Sequence, residues 1–194
     1  PCTHFAERTM RVIIRTAAAV ALLFNAAAVS GAQTTTQLGT GGCGSPHVKT
    51  DWTIGTAHIS ISYGRPALKG RAEATLMPTG RPWRTGADEA TVLTTDRRLT
   101  FGSVALAPGS YTINTVPGAA SWQLVLGKLG SPKQWGIPYK KELEIGRAPM
   151  VLGKTAAPVE QLTISIDAER SGSGGLLRIE WGSTSAATMF TIGS

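Results

Sequence analysis

Between Ala57 and Tyr63 the chain alternates: Ile59, Ile61 and Tyr63 fall on one side and His58, Ser60 and Ser62 on the other. A period of two belongs to a strand with one buried and one wet face. Lys49 to Ile54 lies just upstream across Gly55-Thr56, which predicts a hairpin. Gln161 to Asp167 repeats the pattern, with Leu162, Ile164 and Ile166 opposed to Thr163, Ser165 and Asp167. Ala90 to Thr95, Leu99 to Leu106, Tyr111 to Val116, Trp122 to Leu126, Met150 to Gly153, Leu176 to Trp181 and Thr188 to Ile192 are further apolar, β-rich segments. Turn chemistry separates them at Asp96-Arg97, Pro108-Gly109, Pro117-Gly118 and the Ser/Gly run over 171–175. Only Tyr139 to Ile145 has the composition for a helical turn or two. The pattern predicts an all-β chain, an antiparallel β-sandwich of jelly-roll-like order with about nine or ten short strands and at most one short helix.

The N-terminal stretch follows a different logic. Arg11 and Arg15 precede an apolar run from Ala17 to Ala28 and the small residues Ser30-Gly31-Ala32, the build of a secretory signal peptide cleaved before Gln33. Residues 1–32 are therefore read as an over-extended start plus signal peptide, 33–46 as a flexible leader rich in Thr and Gly, and 47–194 as a single domain. The expected location is periplasmic or extracellular, with no transmembrane segment after cleavage. Cys43 is then the only mature cysteine, which rules out an internal disulfide.

Composition narrows the function classes. The 194 residues are 42% hydrophobic and 16% charged, which excludes a disordered chain. The net charge is +7, and +5 from Gln33 onward, a modest excess that for an exported protein points to an anionic envelope surface or glycan, not to nucleic acid. No G-x-S-x-G elbow, phosphate-binding glycine loop or H-E-x-x-H is present, and no cofactor is called for.

One segment departs from the rest. Arg65, Lys69, Arg71, Arg81 and Arg84 crowd together, with Trp83 beside Arg84 and the carboxylates Asp88 and Glu89 following. Guanidinium forks suit carboxylate, phosphate or sulfate held bidentately, and an indole offers a flat face to a sugar ring. Trp135 is a second candidate for exposed stacking, and for both indoles the competing and more ordinary use is packing over the open end of a sandwich. The candidate ligand-binding set is Arg65, Arg71, Trp83, Arg84, Asp88 and Glu89. The competing reading is a structural clamp, with Arg84 paired to Asp88 or Glu89 and bonding loop carbonyls from inside the fold. Glu89 is also the best candidate for a general acid or base in a hydrolase, with Glu160, Glu180 or Asp167 as a second carboxyl group. His47 and His58 are the weak metal candidates, since a zinc site would need Asp51, Asp88 or Glu89 to join them.

Ser45-Pro46-His47, Tyr63-Gly64-Arg65-Pro66, Lys69-Gly70-Arg71 and above all Trp83-Arg84-Thr85-Gly86-Ala87-Asp88-Glu89-Ala90-Thr91 resemble the exported bacterial family catalogued as domain of unknown function 2911. Blocks at Ala107 to Thr112 and Ala157 to Ile164 extend the resemblance to roughly Ser45 to Trp181. It implies an exported β-rich domain and carries over no catalytic residue. The family pattern has Asn where Asp88 stands, so a ligand mode that used an amide donor there does not transfer. The expected function is a non-enzymatic envelope or extracellular binding module for an anionic glycan or another carboxylated or phosphorylated partner. The alternatives are the Glu89 hydrolase and an assembly component that pairs through a sheet edge. The oligomeric state is left open.

Overall fold

A computed structural model describes residues 32–130 and 139–193. The signal-peptide reading, apart from Ala32, and Trp135 lie outside the described residues. The chain is all-β. Its strands are β1 (Ala32–Thr40), β2 (Pro46–Ile54), β3 (Ala57–Gly64), β4 (Ala87–Thr95), β5 (Leu99–Phe101), β6 (Val104–Leu106), β7 (Gly109–Val116), β8 (Trp122–Lys128), β9 (Glu144–Ala168) and β10 (Gly174–Ile192). They form one open antiparallel sheet in the order β1-β2-β3-β4-β7-β8-β9-β10-β5-β6. Within the all-β class this order is a meander with a single excursion, the β5-β6 hairpin, which leaves the β4-β7 junction and docks beyond β10.

The sandwich arises because β9 serves two halves of that sheet. Its first residues pair with β8, and from Val151 onward it pairs with β10. The sheet doubles over, and one core takes Ile59, Ile61, Leu93, Ile113 and Leu124 from one half and Leu162, Ile164, Ile179 and Phe190 from the other. Tyr63 spans the halves, its hydroxyl accepting the Ile164 N–H at 2.9 Å. The β2-β3 hairpin turns at Gly55 as expected, with Gly55 at φ +57°.

Three local expectations change. Residues 33–46, read as a flexible leader, hold edge strand β1 and a tight turn, because β2 supplies backbone hydrogen bonds to a segment whose own side chains are all exposed. The segments expected around Met150 and Gln161 fuse into the 25-residue β9, and those around Leu176 and Thr188 into the 19-residue β10. A long strand survives its glycines where both neighbours keep pairing, and Gly182, at φ +62°, takes up the register shift. The helical turn expected over Tyr139 to Ile145 shrinks to a 3-10 turn, Lys141–Leu143, while the short helix α1 (Glu73–Leu76) appears in the connection from β3 to β4.

Candidate functional site

The β3-β4 connection is the arginine-rich segment, and it is a strap stitched across one end of the sandwich. Leaving β3, Ala67 bridges Gln161 of β9, Leu68 N–H donates to Glu160 O at 2.9 Å, and Leu162 N–H donates to Pro66 O at 3.0 Å. Helix α1 follows, and its Glu73 accepts hydrogen bonds from Ser183 N–H at 2.7 Å and from the hydroxyls of Ser183 and Thr184 on β10. Burial opposes the ionised form of Glu73, but those donors outweigh it and hold the carboxyl below its ordinary pKa. Gly182 has to lack a side chain here, since a Cβ would come within 2.2 Å of that carboxylate. The strap then reaches β7, where Trp83 and Thr115 exchange both backbone hydrogen bonds at 2.7 and 2.8 Å.

The six expected ligand-binding residues separate into different roles. Arg65 is a clamp: its Nε donates to Leu162 O and its Nη2 to Thr163 Oγ1, both at 3.0 Å, so the guanidinium faces β9. Arg71 is exposed and braces its own turn through Leu68 O and Ala67 O at 2.9 and 2.7 Å. Arg84 makes two long contacts, to Gly86 O at 3.4 Å and Asp88 O at 3.3 Å. Of the clamp expected at Arg84, the contacts to loop carbonyls form, whereas no carboxylate pairs with it among the described residues. Trp83 is half-buried. Trp181 stacks on it at 5.8 Å and 8°, and Trp122 meets it edge-on at 6.2 Å, so one face of the indole expected to stack on a sugar is already spent on packing.

Asp88 and Glu89 both turn to His47. Asp88 Oδ2 lies 2.9 Å from Nε2 and Glu89 Oε2 lies 3.3 Å from Nδ1. His47 and Asp88 are buried, whereas Glu89 keeps half its side chain in solvent. The pair lies directly beneath the β1-β2 turn, where a Cβ on Gly41 would fall 1.9 Å from Asp88 Oδ2. Asp88 reaches His47 because its φ is +61°, which departs from the simple two-face alternation expected for adjacent residues on a strand. The two metal candidates do not converge: His58 is exposed, with Nδ1 3.3 Å from Thr53 Oγ1. Among the described residues no group of three or more His, Cys, Asp or Glu is placed to hold a metal ion.

Under the strap lies a cleft of about 850 Å³. Arg71, Trp83, Arg84 and Asp88 line it together with Lys69, Cys43, Gln161 and Trp181, whereas Arg65 and Glu89 do not. Its cations are Lys69, Arg71 and Arg84, and Asp88 is the one carboxylate among its lining residues, already engaged by His47. The Lys69 ammonium has no hydrogen-bond or ion-pair partner among the described residues. The cleft is therefore a concave surface with donors left over for an anion.

Backbone strain collects at the same place. Among the described residues the non-glycine positions with positive φ are Lys69, Thr85 and Asp88, at +49°, +55° and +61°. The β-branched Thr85 is costly in that region, and it is over-determined by its hydroxyl contact to Thr115 Oγ1 at 3.1 Å and by the Thr91 hydroxyl donating to its carbonyl at 2.9 Å. Strain of this kind clusters where a surface must be held in one shape.

Sequence reasoning passed over three lining residues. Trp181 reads as core from its strand context, Gln161 as an ordinary strand residue, and Cys43 as part of a tether. Only the β-bridge between Ala67 and Gln161, and the turn that places residues 43–46 beside Asp88, bring them to the cleft.

The family described as protein of unknown function (DUF2911) matches residues 45–190, and the chain belongs to it. No curated protein and no solved structure matches the chain.

Proposed function

We propose that this member of the DUF2911 family is an exported, non-enzymatic binding module whose strap-covered cleft takes a carboxylated or sulfated glycan of an envelope or extracellular surface. The observation that carries the reading is the charge balance of the cleft. Lys69, Arg71 and Arg84 line it, and the one carboxylate among its lining residues is held by His47. An anion entering there exchanges hydration for charge-assisted hydrogen bonds. The location rests on the signal-like sequence from Met10 to Ala32. The ligand is grasped by cations and not by a ring laid on Trp83, whose neighbour Trp181 covers one face.

Calorimetric titration with heparin fragments, carrying both sulfate and uronate, tests the reading. Each charge-assisted contact is worth about 1.5–3 kcal/mol, so Arg71→Ala combined with Arg84→Ala weakens binding by at least roughly a hundredfold. Arg98→Ala, an exposed cation outside the cleft lining, leaves affinity unchanged. Wild-type protein that takes up no heparin fragment, or equal affinity in the double variant, overturns the proposal.

A further inference from the structure

Strand β1 is the long open edge of the sheet. Among the described residues nothing pairs with its outer side, and all nine of its residues are exposed. The opposite edge is treated differently. There β6 is three residues long and is followed at once by Ala107-Pro108, which offers little ladder to a partner. Exposed edges are commonly protected by charge, proline or brevity, and β1 has none of these: Ala32 to Thr40 contains no Lys, Arg, Asp, Glu or Pro.

The sequence of this edge also matches itself. Gln33-Thr34-Thr35-Thr36-Gln37 reads the same in both directions. Two copies laid antiparallel about a two-fold axis through Thr35 would set Thr34 against Thr36, Thr35 against Thr35 and Gln33 against Gln37. Such an interface is isologous and closes after two subunits. Threonine pairs across antiparallel strands are favourable, and paired glutamines satisfy each other's amides. The Thr35 hydroxyl already bonds Thr50 Oγ1 of β2 at 3.1 Å, so Thr34 and Thr36 share the other face of the strand, free to meet their counterparts.

We propose that β1 is a homodimerisation edge, joining two copies of this chain into one continuous twenty-stranded sheet through the palindromic register centred on Thr35. A register of this length buries less than the roughly 1,200–2,000 Å² of a standard stable interface, so association is concentration-dependent. The cleft plays no part in it, and the proposal stands apart from the binding reading.

Sedimentation velocity over a concentration series, on protein purified from expression of the whole chain, tests it. The wild type passes from monomer to dimer as concentration rises. Thr34→Lys with Thr36→Lys places like charges directly opposite across the axis and keeps the protein monomeric. Thr34→Glu with Thr36→Lys sets an acid of each copy against a base of the other and restores the dimer. All three proteins melt alike, because neither side chain is buried. A wild type that stays monomeric at every concentration, or a dimer indifferent to the double lysine variant, overturns the proposal.

Discussion

Asp88 sits at φ +61° with its carboxylate 2.9 Å from His47, and the two residues are 41 positions apart in the chain. A side chain in this backbone region costs least as Asn, Asp or Gly, so the backbone and the hydrogen bond restrict the choice together. Asp88→Ala loses both advantages, leaving His47 without its buried acceptor and a methyl-bearing residue at positive φ. The expected loss is about 1–3 kcal/mol, read as a lower denaturation midpoint with an unchanged slope. Asp88→Asn keeps an acceptor and the backbone preference, and falls by less than half as much in the same measurement. Asp88, three residues beyond the strained Thr85, and Arg84, immediately before it, were legible as candidates from local composition. The partner of Asp88 was not, because nothing within ten residues of it announces His47.

At the scale of the element, the strap explains why five similar cations have different fates. Arg65 leaves β3 where β9 passes alongside, so its guanidinium meets the Leu162 carbonyl and the Thr163 hydroxyl. Arg71 leaves the next turn and meets only its own backbone. Arg65→Ala cuts a partly buried tie between strap and sheet and costs about 1.5–3 kcal/mol, a fall of several degrees in Tm for a chain of this size. Arg71→Ala shifts Tm by about a degree or less, as exposed substitutions do. Scanning calorimetry of the two variants separates clamp from cleft residue, and equal shifts would contradict the assignment. Strand alternation at Ile59 to Tyr63 and at Leu162 to Ile166 was readable because each strand carries its period locally. The continuity of β9 through Lys154 to Glu160 was not, since those residues lack the period and are held by β10, and β1 escaped notice for the same reason.

For the whole molecule, two carboxylates contribute to the response to acid. Glu144 is held by Arg147, by Tyr139 and by Lys141, and these contacts lower its pKa from 4.5 to about 2 against the opposing effect of burial. Glu73 is lowered too, by the donors of Ser183 and Thr184. A carboxyl whose pKa is depressed on folding contributes stability that is fully present above its ordinary value and disappears as pH falls through the folded one. Unfolding free energy from denaturant titrations therefore declines between pH 4.5 and about 2 as Glu144 takes up its proton. Glu144→Gln flattens that decline, and a variant with the wild-type slope would show that the Arg147 contact contributes nothing. Glu73→Gln flattens it further, through the tie between α1 and β10.

The sequence alone determined the all-β class, the strands with a two-residue period, the Gly55 hairpin and the family, because each depends on residues close together in the chain. Tertiary structure decided which arginine braces and which faces the cleft, that β1 pairs at all, and that Asp88 is held by His47. Those outcomes depend on which distant strand runs alongside, and the course of a neighbouring strand is not written in the residues it passes.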